Sequence, residues 1–407
     1  MRKGILALSA AAALLVAGCG SSKPKLHIFT WADYIDPELV ERFEKENGCR
    51  VVIDIFDSNE AMLAKVEAGA SGYDVMFPSS YMVGKLARDG KIEAIDHSRL
   101  TTLGNIDTNY IASALDPSMK YGIPYMVTYT GVAYRDDLLA GDKAPAHSWS
   151  VFSERPDLKG RMTLLQDMRE TLGAALLFHG HSLNTTNEAE LAEARDTVIE
   201  WKKNIAKFES EQFKTGVAGG EFLLVHGYSG DIGQVQLDAE GEIAPDRNHV
   251  AFFLPDEGFS LSCDEMVIPT TAPNKDLAYK FIDFIHRPDV AAQNMQYTVY
   301  WCPNAPAKKI LEEEAPEMVA NPTIFPDEET LKRIASVGDG AYVHAGNDEF
   351  GLNPILDEIR KLEDERFNST VFEEYDEQYM YFFAAALFFF VLEMLIGERR
   401  ARRRLFE

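Results

Sequence analysis

Short apolar runs alternate with stretches in which apolar positions recur every three or four residues, and the alternation begins at Leu26. Residues 26–30 read as a strand, and after Trp31 and Tyr34 a helix follows with Leu39, Val40 and Phe43 on one face. Asp36 suits its N-cap, Pro37 its first turn, and Gly48 the left-handed residue that ends it. Residues 50–56 predict a second strand, Ser58 caps a helix carrying Met62, Lys65 and Val66, residues 73–77 predict a third strand, and 83–88 a helix. Strand, helix, strand, helix, strand implies a parallel sheet with right-handed crossovers. Ligands of such sheets sit beyond the carboxyl ends of the strands, here residues 30–34, 57–60 and 78–81.

A connecting strand at 131–134 leads to a second alternating set. It comprises a strand at 161–165, a helix over 188–208 with Leu191, Ala194, Val198, Trp201 and Ile205 on one face, and strands at 222–228 and 250–254. A strand at 266–268 precedes Pro269, and Asn274 opens a helix at 277–285. Two α/β units joined by extended crossings predict two lobes around a hinge cleft. The expected lobes are 26–135 with 263–307, and 136–262 with 308–330.

The two ends change the picture. Residues 1–18 start with Arg2 and Lys3 and continue apolar to Val16, as a secretory signal does. Leu15-Val16-Ala17-Gly18-Cys19 resembles a lipobox, which makes Cys19 the lipidated residue; plain cleavage leaving an ordinary cysteine is the alternative. Residues 19–25 form a tether. At the other end, residues 379–396 are interrupted only by Glu393 and lead into the basic end at 397–407, with Arg399, Arg400, Arg402, Arg403 and Arg404. That length and flank predict a transmembrane helix with its arginines cytoplasmic, against the alternative of a buried amphipathic helix.

Lys plus Arg total 40 against 65 Asp plus Glu, a formal charge of −25, which disfavours a nucleic-acid partner and admits a cationic ligand. Apart from Cys19, the cysteines are Cys49, Cys263 and Cys302; with no CxxC they read as buried small hydrophobes, and at most one bridge can join them. GxSxG, HExxH and GxxxxGK[ST] do not occur, so no enzyme motif is found. His179 and His181, two apart on a helix, would not share a face, so no metal site is expected. Tyr297 and Tyr300 leave a ferric-iron receptor as a distant alternative.

Five segments then align in order: Phe29-Thr30-Trp31-Ala32-Asp33-Tyr34, Ser58-Asn59-Glu60, Tyr73 through Tyr81, Tyr228-Ser229-Gly230-Asp231, and Phe284 through Ala291. Together, over residues 26–329, they resemble the spermidine/putrescine-binding proteins of ABC importers. The resemblance implies a type II periplasmic-binding-protein-like α/β fold, a polyamine ligand, ABC permease subunits as partners, an extracytoplasmic location, no cofactor and no catalysis. It assigns an aromatic wall of Trp31, Tyr34, Tyr81, Tyr228 and Tyr300, Ser79 as a polar contact, and the acids Asp167, Glu170, Asp231 and Asp264. The chemistry is coherent: carboxylates accept ammonium hydrogen bonds and ring faces attract the cation, at about 0.5–2 kcal/mol each when desolvated.

Each residue also has a structural reading. Trp31 and Tyr34 could pack between lobes, Tyr81 could cover the hinge, Arg169 could pair with Asp167 or Glu170, and Asp231 could cap a helix. An unpartnered acid at Asp264, beside an apolar strand, would be costly. Two departures from the family pattern are Ser262, where an aromatic often stands, and the missing polar contact after residues 325–327. From residue 331 the chain resembles instead the closing part of aerotolerance-type von Willebrand factor A membrane proteins, without the DxSxS metal motif. Residues 331–378 therefore read as a foreign tail, joined by gene fusion or by an assembly error, and a membrane-tethered interaction protein acting through it is the second functional reading.

Overall fold

The computed structural model describes residues 23–238 and 241–325. Cys19, the tail and the helix expected at 379–396 lie outside the described residues. Everything described below lies within a unit of residues 1–354.

The first sheet has Lys25–Thr30 (β1) at its centre, parallel to Arg50–Ile55 (β2) and to Val75–Met76 (β3). Pro37–Asn47 (α1) connects β1 to β2; Asp36 accepts a hydrogen bond from the Glu38 amide at 2.8 Å, and Gly48 ends the helix at φ +61°. Asn59–Glu67 (α2) is capped by Ser58, and Ser80–Arg88 (α3) follows β3. The third strand is shorter than the predicted 73–77, because only Val75 and Met76 pair with β1.

Ile123–Arg135 (β4) joins the two halves. Downstream come Met162–Leu164 (β5), Met168–Phe178 (α4), Glu188–Lys202 (α5), Lys207–Phe208 (β6), Phe213–Ala218 (α6), Leu224–Tyr228 (β7) and Ser229–Val235 (α7). Then follow Val250–Phe253 (β8), Leu261–Met266 (β9), Lys275–Ile285 (α8), Pro288–Thr298 (α9) and Ala305–Glu314 (α10). The second sheet runs β6-β5-β7-β4-β8, with β9 also on β4. From Ile123 to Tyr129, β4 pairs antiparallel with β9; from Thr130 onward its neighbours are β7 and β8. Gly131 permits the switch, since a Cβ there would lie 2.6 Å from the Phe253 carbonyl and the Phe252 ring.

The chain therefore passes between lobes inside β4, and not after Arg135 as expected. Likewise α10 packs on α9 and buries Ala307 and Leu311 in the core that holds Leu26, Phe43 and Phe281, so this part of the expected 308–330 lobe segment packs with the first lobe. The helix predicted over 188–208 stops at Lys202, since Lys207 and Phe208 are drawn into pairing with β5. Cys49, Cys263 and Cys302 are buried and unbridged. Among the described residues no helix is long and apolar enough to cross a membrane.

His226, in β7, is fully buried with its ring against the edge of Trp149, and neither nitrogen has a hydrogen-bond partner. Burial pushes its pKa down to about 3, against about 6.5 in the unfolded chain. Protonation therefore favours unfolding, and stability falls as pH drops below about 6.5 at roughly 1.4 kcal/mol per unit. Thermal melts of wild type and His226→Phe at pH 7.5 and 5.0 should show the wild type losing about 2 kcal/mol more than the variant. Equal losses would show that this imidazole is not the acid-sensitive element.

Candidate ligand-binding cleft

Between the lobes lies a cavity of about 70 Å³. From the first lobe come Trp31, Tyr34, Ser79, Tyr81 and Asp264; from the second, Asp167, Glu170, Tyr228 and Asp231; Tyr300 lines it as well. All ten residues assigned through the resemblance line one hollow, although they run from Trp31 to Tyr300.

Each wall is held from behind. The loop after β1 is pinned because the Trp31 indole donates to the Phe77 carbonyl at 2.9 Å and Tyr125 donates to the Tyr34 carbonyl. Asn294 completes the brace by donating to Tyr125 at 2.6 Å while accepting from the Asp36 amide at 2.9 Å. Tyr34 meets Tyr300 edge to face, with ring centroids 5.4 Å apart. Tyr300 itself lies flat against Gly230, where a Cβ would come within 2.3 Å of the ring, so the glycine is what admits the tyrosine.

Asp264 lies within β9, opposite Met126, and both its oxygens are occupied: Tyr34 donates at 2.7 Å and Ser79 at 2.6 Å. Asn59 clasps Ser79 in turn, donating to its hydroxyl and accepting from its amide, each at 3.0 Å. Glu170 accepts from Thr130 at 2.8 Å and Ser260 at 3.0 Å. Asp167 caps α4 by accepting from the Glu170 amide at 3.1 Å, and Tyr228 reaches its other oxygen at 3.3 Å. Arg169 donates to Asn184 and stands 4.7 Å over the Tyr81 ring. Asp231 is in the first turn of α7 without capping it.

Desolvation raises Asp167 and Asp231, lifts Asp264 to about 6, and, with the Asp167 charge adding to it, lifts Glu170 to about 7. Hydroxyl donors oppose the shift at Asp264 and Glu170 without cancelling it. Glu60, whose oxygen accepts from Tyr81 at 3.3 Å, is raised to about 7 for the same reason.

Further lining residues were not assigned from the sequence: Asn59, Asp57, Thr128, Ser210, Glu211, Lys214 and Ser262 among them. Thr128 is buried with no partner for its hydroxyl; it belongs to the part of β4 that the sequence reading began too late. Lys214 carries no periodicity or motif signal. His179 and His181 depart from expectation too: α4 ends at Phe178, Gly180 turns at φ +74°, and both rings reach Glu193, His181 at 2.8 Å and His179 at 3.7 Å. Among the described residues no group of three or more His, Cys, Asp or Glu is placed to hold a metal. Tyr297 is 38% exposed and does not line the cavity.

Residues 38–326 match the family model described as bacterial extracellular solute-binding protein. The chain belongs to that family. Among its relatives, this solute-binding protein is 36% identical over 335 residues to a putrescine/cadaverine-binding protein of Pseudomonas aeruginosa, covering 80% of this chain and 92% of that one. It is 33% identical to the spermidine/putrescine-binding periplasmic protein of Escherichia coli, covering 81% and 90%. A solved spermidine/putrescine transporter substrate-binding protein of Streptococcus pneumoniae superposes with TM-score 0.62 at 33% identity, covering 76% and 91%. The Tp0655 lipoprotein of Treponema pallidum does so with TM-score 0.61 at 34%, covering 70% and 88%. The type II periplasmic-binding-protein fold expected from the sequence is the fold of the described residues.

The raised Asp264 has a consequence for the empty solute-binding protein. Its folded pKa of about 6 exceeds the unfolded value of about 3.9, so the carboxyl favours the fold below about pH 4, and that contribution is lost as pH rises through 6. Ionised, it burdens the ligand-free fold by roughly 2–3 kcal/mol. Asp264→Asn should therefore melt higher than wild type at pH 8 without ligand, and the gain should shrink towards pH 4.5. A variant that melts no higher at pH 8 would count against a strained acid here.

Proposed function

We propose that this protein captures a polyamine of the putrescine or spermidine class between its lobes and presents it to an ABC permease, without catalysis. The observation that carries the reading is the convergence of acids from both lobes, Asp264 from one and Asp167, Glu170 and Asp231 from the other, on a cavity walled by five aromatic rings. Carboxylates with hydroxyl donors behind them keep lone pairs for ammonium groups, and the rings between them suit methylene and cation–π contact. A single water needs roughly 10–15 Å³ on the scale by which this cavity measures about 70 Å³, so a short chain of atoms fits without the lobes opening further. The putrescine and spermidine named for its relatives are in accord with this chemistry.

The remaining parts of the proposal rest on sequence. Residues 1–18 act as the export signal, Cys19 as the lipid anchor, residues 19–25 as its tether, and 379–396 as a second attachment to the membrane. The lobes do the capture.

Isothermal titration of the full chain with putrescine and spermidine at pH 7.5 should give micromolar affinity, about −8 kcal/mol. Glu170→Gln and Asp264→Asn should each weaken binding more than tenfold. Because Glu170 at about 7 and Asp264 at about 6 take up protons as pH falls, affinity should drop between pH 8 and 6. Binding at pH 6.5 should then release protons, visible as a heat that varies with the buffer's ionisation enthalpy. No heat at millimolar ligand from folded protein would sink the reading.

A further inference from the structure

The cavity is lined by six carboxyl side chains, those of Asp57, Asp167, Glu170, Glu211, Asp231 and Asp264, and by a single ammonium, that of Lys214. Lys214 projects from α6 in the second lobe and is 18% exposed. Its Nζ lies 3.8 Å from Asp231 Oδ1 in its own lobe and 3.7 Å from Asp33 Oδ2, in the first-lobe loop after β1. Both distances are beyond hydrogen bonding, so the ammonium is held by charge and not by a fixed bond. Asp33 keeps this position at φ +51°, a conformation aspartate tolerates better than most residues.

We infer that Lys214 is a specificity-determining residue: its side chain is a resident cation at the Asp231 end of the cleft, leaving room for a ligand of two positive charges and disfavouring one of three. The inference rests on the polyamine reading above. A diamine places its ammonium groups against the acids that Lys214 does not serve, Asp167, Glu170 and Asp264. A third ammonium extending towards Asp231 meets the like charge of Lys214, whose side chain is 18% exposed, and is repelled. A plain cross-lobe latch predicts something different. It would change the affinity of every ligand by the same factor, because it acts on closure alone.

The test titrates the full chain and the variants Lys214→Met, Lys214→Gln and Lys214→Arg with putrescine and spermidine at pH 7.5, each variant first checked by thermal melting. Wild type should favour putrescine. Lys214→Met and Lys214→Gln should shift the affinity ratio towards spermidine by tenfold or more, and Lys214→Arg should keep the wild-type ratio. A ratio within threefold of wild type in whichever neutral variant is folded overturns the inference while leaving polyamine binding intact, as does an equal change for both ligands. A wild type that binds neither amine overturns the function and the inference together.

Discussion

A carboxylate taken out of water has to be met by donors or by a cation, and the architecture of this protein follows from meeting that demand only in part. Asp264 receives two hydroxyl bonds and Glu170 two more, yet both remain raised above the ordinary carboxylate range. Burial opposes ionisation of both acids more than their donors favour it, and the rings of Tyr34, Tyr81, Tyr228 and Tyr300 line the same cavity.

Strand β4 makes that arrangement possible. Its first half pairs with β9, which carries Asp264, and its second half contributes Thr130, which donates to Glu170. One continuous strand therefore sets the distance between an acid of one lobe and an acid of the other. Thr128 lies just before the change of partners and offers the cavity an unclaimed hydroxyl.

Support for the aromatic wall comes from farther away. The Asp36–Asn294–Tyr125–Tyr34 chain of hydrogen bonds ties the loop after β1 to helix α9, more than 250 residues later. Trp31 is fixed by the Phe77 carbonyl and by the edge of Phe56. Trp31 and Asp167 both bond to the scaffold and line the cavity, Asp167 as the cap of α4 and not as a partner of Arg169, which turns to Asn184 and Tyr81.

The alternation of strands and helices in the first lobe and the caps at Asp36, Ser58 and Gly48 were legible in the chain, because local backbone preference is a property of contiguous residues; the ten cavity-lining residues were assigned only through the resemblance to a family. Periodicity was silent on the early part of β4, which is buried on both faces and so lacks the alternation of a half-buried strand, and on the lobe boundaries that depend on it. Packing between distant segments sets which donors meet each acid, places Asn59 and Thr128 in the wall, and brings Lys214 among six carboxyls. Those are matters of distance between segments far apart in the chain, and distance is set by packing that no short window of residues contains.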